Sequence, residues 1–115
     1  MSRVVLLVCT SSVTRALLSS LLSSSGDEVC AGDSLARAIA ATGKRSPDVA
    51  IVEAAIVRAS PDTIERLREA WPARIGVVVA DRTYADERRG ADEARVFGAT
   101  AFVGLPPIPP PSTKR

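Results

Sequence analysis

Two places in this sequence carry residues that could do chemistry. The first is Cys9-Thr-Ser-Ser-Val-Thr-Arg15, which sets a thiol six residues ahead of a guanidinium. Before it, Val4 to Val8 are five consecutive apolar residues, β-branched or Leu, as in a strand buried on both faces. After it, Val13, Leu17, Leu18, Leu21 and Leu22 recur three and four apart, which is helical spacing. A thiolate at a helix N-terminus is stabilised by the dipole, and backbone N–H groups with an Arg fork could cradle a phosphate. The loop holds no Gly or Asn to let such a cradle curl, so a packed structural thiol and a solvent-facing Arg15 form the other reading. The second place is Glu53, which ends the apolar run Val49-Ala-Ile-Val52 just after Pro47-Asp48. Asp81 follows another apolar run, Ile75 to Ala80. If both runs are parallel strands, these acids share the carboxyl edge with the Cys9 loop, where open α/β sheets build their sites.

Composition removes several kinds of chemistry. The chain has no His, and with it go the commonest general base, the usual zinc ligand and histidine phosphotransfer. Fifteen basic and thirteen acidic side chains leave a net charge of +2, and they alternate in sign, so no basic stripe for nucleic acid is present. Two cysteines, Cys9 and Cys30, suit reduced thiols better than a secreted disulfide framework. No basic segment leads into a long apolar run and no stretch approaches about 18 apolar residues, so the expectation is a cytoplasmic protein without membrane contact.

The elements that must position these residues follow in order. Ser11 or Ser12 caps a first helix that runs to about Ser25 and stops at Gly26. Asp27 to Ala31 form a short strand, and Leu35, Ala38 and Ile39 line a second helix closed by Gly43. Strand Val49–Val52 leads to Ser60-Pro61-Asp62, a cap, a Pro and an acid that open a third helix ending at Trp71-Pro72. Strand Ile75–Ala80 precedes a polar loop and an Arg- and Glu-rich fourth helix ending at Gly98. Ala101–Val103 is a short last strand, and Pro106 to Pro111 make an extended tail. At 115 residues this is one domain. Residues 1–104 are expected to form an α/β domain with a five-stranded parallel sheet and right-handed crossovers, and 105–115 a proline-rich tail or linker.

Over nearly its whole length the chain resembles the receiver domain of bacterial two-component response regulators. Pro47-Asp-Val-Ala-Ile-Val-Glu53 is similar to the family's third strand, which ends in the phosphorylated Asp. Gly98-Ala-Thr-Ala-Phe-Val-Gly-Leu-Pro106 is similar to its fifth strand and Lys-Pro signature. The resemblance implies a flavodoxin-like fold with strand order 2-1-3-4-5, here with the final helix absent. It also implies what has changed. Cys9 and Thr10 stand where the family has magnesium-holding acids, Glu53 where it has the phosphoacceptor, Val79 or Ala80 where it has a hydroxyl residue, and Leu105 where it has Lys. Phe102 matches the aromatic switch position. Magnesium needs hard oxygen ligands, and Glu is one methylene longer than Asp, so family-type phosphoryl transfer is not expected. Glu53 either imitates a phosphorylated aspartate or is a strand-end carboxylate without that role.

The expected function is therefore that of a degenerate receiver, or pseudo-receiver, a protein-protein interaction module of signal transduction without enzyme activity, metal or cofactor. Receivers commonly signal through the fourth helix and fifth strand, which makes Tyr84, Arg88, Arg89 and Arg95, with Phe102, the interface candidates. A homodimer or heteromeric contact is expected, because a missing last helix would bare the sheet near Ile75, Val77 and Val79. Two alternatives stand beside this reading. Cys9 and Arg15 also resemble the phosphate loop of low-molecular-weight tyrosine phosphatases and arsenate reductases, which implies a small cysteine-dependent enzyme. The other is a scaffold or assembly module that has kept only the fold.

Overall fold

The structure, a computed structural model, describes residues 3–43, 45–71, 75–82, 95 and 99–105, with 81, 82 and 101–105 described as backbone. Five strands, β1 Val4–Val8, β2 Glu28–Gly32, β3 Val49–Glu53, β4 Gly76–Arg82 and β5 Ala101–Leu105, form one parallel sheet in the order β2-β1-β3-β4-β5. Helix α1 spans Ser12–Ser24, α2 Leu35–Thr42, α3 Ala54–Ala59 and α4 Thr63–Ala70. This is the flavodoxin-like topology expected from the sequence. The tail after Leu105 and most of the charged segment between β4 and β5 lie outside the described residues, and so does the question of a last helix.

Local chemistry explains the helix ends. Ser11 and Ser34 cap α1 and α2 with their hydroxyls, each accepting the N–H three residues on, from Thr14 and Arg37. The α1 exit uses Gly26 at φ 90° and the α2 exit Gly43 at φ 61°, conformations that side chains with a Cβ resist. The third helical region departs from expectation. A short helix, α3, follows β3 directly, and Ser60 closes it instead of opening the next one. Thr63 then donates both its N–H and its hydroxyl to the Ser60 carbonyl, so α4 begins two residues beyond Pro61.

The core lies mainly between the sheet and α2, α3 and α4. Leu6, Val8, Ala50, Val52, Val77 and Val79 of the sheet pack there with Leu35, Ala38, Val57, Ile64 and Leu67 of the helices. That corrects the expected bare patch: Ile75, Val77 and Val79 are only 5%, 0% and 2% exposed. Strand residues alternate between faces, so a one-residue change of phase exchanges the covered and uncovered sets. On the opposite face Val5 and Leu7 are buried, whereas Val49, Ile51 and Val78 are partly exposed. Helix α1 also differs from expectation. Thr14 is its buried residue and Leu18 and Leu22 are half-buried, while Val13, Leu17 and Leu21 face solvent.

Candidate functional site

Register brings the two chemical places together. Val8 pairs with Val52 across β1 and β3, so the next residues, Cys9 and Glu53, emerge side by side at the carboxyl edge. Cys9 stays on the ladder through its N–H, which donates to the Gly32 carbonyl at 3.1 Å. The Glu53 carboxylate reaches over the β1–α1 loop. Its Oε1 accepts from the Thr10 hydroxyl at 2.6 Å and the Thr10 N–H at 3.2 Å. Its Oε2 lies 3.6 Å from Cys9 Sγ, within reach of a thiol hydrogen bond, and Sγ is also 3.7 Å from the Ser11 carbonyl.

Arg15 closes the loop from the helix side. Its Nη1 donates to the Cys9 carbonyl at 2.8 Å. The seven residues from Cys9 to Arg15 are thus one hydrogen-bonded unit, anchored by Ser11 at the cap and Glu53 from the neighbouring strand. Cys9 itself is 2% exposed. Burial pushes its thiol above the ordinary value and the Glu53 carboxylate adds to the rise, while the backbone at Ser11 and the Arg15 charge pull the other way. In this closed arrangement the sulfur is a protonated thiol at neutral pH.

The other candidate residues are placed as follows. Val79 is buried in the main core, and Ala80 stands opposite Glu53 in the register. Phe102 pairs with Val79, and Leu105 with Arg82, along β4 and β5. Arg95 is exposed. Tyr84, Arg88 and Arg89 lie outside the described residues. Cys30 is buried in the main core cluster, to which Cys9 does not belong, and both thiols are free.

Solved structures with the same chain path include response regulator receiver proteins from Clostridium thermocellum and Burkholderia phymatum. NtrX from Brucella abortus superposes with a TM-score of 0.76 at 21% identity, over 94% of this chain and 24% of that one. A response regulator from Thermotoga maritima gives 0.75 at 21% identity, over 94% and 88%. Chemotaxis protein CheY4 from Vibrio cholerae gives 0.74 at 22% identity, over 94% and 90%. No family model and no curated protein matches the sequence. The fold is that of a receiver domain. The chain spans about a quarter of the length of the Brucella protein it matches.

On that fold, the donor set at the carboxyl edge does not fit magnesium. A thiol and a hydroxyl, Cys9 and Thr10, occupy places where hard carboxylate oxygens are required, and the Glu53 carboxylate is already committed to Thr10. Among the described residues no three His, Cys, Asp or Glu side chains gather as metal ligands. The expectation of a chain without enzyme activity is corrected here. The Arg15 to Cys9 bond makes a Cys-x5-Arg loop of the kind found in cysteine-dependent catalysis. Sequence spacing alone could place the two residues near each other; it could not show that the guanidinium turns back onto the loop. The contact that sequence reasoning missed is Thr10 with Glu53, because it depends on the β1–β3 register.

Proposed function

We propose that this receiver-fold domain is a small cysteine-dependent enzyme of the phosphatase or arsenate reductase kind, with the Cys9–Arg15 loop as its centre. The observation that carries this is the 2.8 Å bond from Arg15 Nη1 to the Cys9 carbonyl, which turns the guanidinium back onto the residue that bears the sulfur, where its charge pulls the thiol pKa down. Glu53 supplies the acid–base group that the loop lacks, since its Oε2 is 3.6 Å from Sγ. With a phosphomonoester, Glu53 takes the thiol proton and the Cys9 sulfur attacks phosphorus. The bond to the leaving oxygen breaks, and protonated Glu53 returns its proton to that oxygen. Water, giving a proton to Glu53, then cleaves the sulfur–phosphorus bond; phosphate leaves and the thiol is restored. Cys9 is 2% exposed, so this reaction requires the loop to open before substrate meets the sulfur. The test is turnover of an aryl phosphate, and of arsenate with an external thiol as reductant. Activity abolished by Cys9→Ser and strongly reduced by Arg15→Ala supports the reading; no turnover of either substrate overturns it.

A second reading is a signalling module that works by protein contact, independent of phosphoryl transfer to Glu53. Two observations favour it: Glu53 is held by Thr10 in one arrangement, and α1 exposes Val13, Leu17 and Leu21. Capture of one specific partner, unaffected by Cys9→Ser and lost on substitution of exposed residues, would support it.

A further inference from the structure

A cleft lies between the first turn of α2 and the step from α3 to α4. Its volume is about 320 Å³, at the small end of the ~300–1,000 Å³ typical of small-molecule sites. Local structure sets its walls. Gly32 lets β2 run so close to α2 that a Cβ there would stand 2.5 Å from the Ala38 backbone N, which fixes the α2 wall. On the other side α3 stops at Ser60, whose carbonyl accepts both the N–H and the hydroxyl of Thr63, at 3.0 Å and 2.6 Å. The cleft spans this break, with Ile56 before it and Arg66 after it on the lining.

The lining is mixed in a way that selects a ligand. Leu35 and Ile56 supply an apolar wall, and both are tied to the main core. Ser34 adds a hydroxyl whose oxygen accepts the Arg37 N–H, so its own proton remains to donate. Two charged residues, Asp33 and Arg66, complete the lining. Asp33 is already neutralised by Arg37, whose Nη1 lies 3.0 Å and 3.3 Å from its carboxylate oxygens. The Arg66 guanidinium has no ion pair among the described residues. The cleft therefore sets one uncompensated positive charge beside an apolar wall.

We propose that this cleft binds a small organic carboxylate, its charged end on Arg66 and its short apolar body against Leu35 and Ile56. A guanidinium fork matches a carboxylate with two parallel hydrogen bonds. One carboxylate also balances the one free cation. A phosphate monoester carries nearly twice that charge, and the surplus would face Asp33. An ammonium finds no free acid, since Asp33 is paired. Cys9, Arg15 and Glu53 do not line the cleft, so this site is separate from the Cys9 loop.

Amide shifts of the whole chain, titrated with benzoate and with hexanoate, test the proposal. Both ligands should bind saturably, with dissociation constants on the order of 1 mM for molecules of this size. The shifts should centre on Ser34, Ile56 and Ser60. Arg66→Gln should weaken binding roughly tenfold, and Arg66→Lys, which keeps the charge without the fork, by less. Ala36→Leu, which adds bulk to the α2 wall, should weaken both ligands as well. Arg66 and Ala36 are exposed, so these variants should keep the native melting temperature. The absence of any saturable shift overturns the proposal. Shifts centred on Arg15, binding indifferent to Arg66→Gln, or hexylamine or sulfate binding as tightly as hexanoate overturn it equally. Norleucine, which is hexanoate with an added ammonium, should bind no more tightly than hexanoate. Tighter binding would show Asp33 giving up Arg37 and would overturn the ligand class.

Discussion

Thr10 Oγ1 donates to Glu53 Oε1 across 2.6 Å, and this bond joins the end of β3 to the loop that leaves β1. It holds the Glu53 carboxylate beside Cys9, with Oε2 3.6 Å from the sulfur of a residue that is 2% exposed. One hydrogen bond thus fixes the position of the acid, whose charge adds to the effect of burial in keeping the thiol protonated.

Removing the hydroxyl should therefore loosen the site without unfolding the domain. For Thr10→Val the expected loss is about 1 kcal/mol, because a carboxylate at a half-open edge retains water as an alternative partner. Thermal unfolding should show a fall of roughly 5 °C. Cys9 should also become more accessible to alkylation.

Thiol chemistry gives a prediction with a definite sign. The Cys9 thiol is raised above 9.0 by burial first, with Glu53 adding to the rise. Alkylation of the folded chain should therefore be slow at neutral pH and increase only above about pH 9. Glu53→Gln removes the repelling charge and should speed alkylation at a fixed pH. The same variant should slow phosphoester turnover, since the proton carrier is gone; parallel changes in both would count against the role given to Glu53.

The same shift links to stability. Between the unfolded value of 9.0 and the higher folded value, the unfolded chain has released the proton that the folded chain retains. The contribution of Cys9 is fully present below pH 9 and is lost as pH rises through the folded value. Denaturant midpoints measured from pH 8 upward should fall less steeply for Cys9→Ser than for the native chain.

A backbone approach at the end of β2 predicts a larger effect. A Cβ on Gly32 would stand 2.5 Å from the Ala38 backbone N, so strand and α2 must separate to admit it. Gly32→Ala should cost about 3 kcal/mol, the upper part of the range for forced overpacking, read as a shift in urea midpoint without a change in slope.

These residues show how far a sequence reaches. The β1, β3 and β4 runs were plain in the sequence, as were the stops at Gly26 and Gly43, because apolar runs and left-handed exits are local properties. Which face of β4 is covered was not, since a run apolar at every position carries no alternation to fix its phase. Val77 and Val79 proved buried where exposure was expected. Helix α1 misled for the same reason: five apolar residues spread around it, and only packing decides that Leu18 turns inward and Leu17 outward. Helix α3 carries no cap and no glycine stop, so nothing in its six residues announced it. At the site, Cys9, Arg15 and Glu53 were singled out from residue type and position, but the Thr10–Glu53 bond comes only from register.

The receiver fold raises the question of phosphorylation at Glu53 itself. With Cys9 and Thr10 as the neighbouring donors, acetyl phosphate or beryllofluoride with magnesium should leave the amide shifts around Glu53 unchanged. Magnesium-dependent shifts centred there would show that the carboxylate leaves Thr10 to bind metal.

The most direct measurement is the mass of the intact chain, quenched by acid during incubation with an aryl phosphate. A cysteine-dependent centre predicts one added phosphoryl group, mapped to Cys9, absent from Cys9→Ser and lost with time as water releases it. No hydrolysis and no phosphoryl group on Cys9, in the native chain and in Thr10→Val alike, would contradict the account.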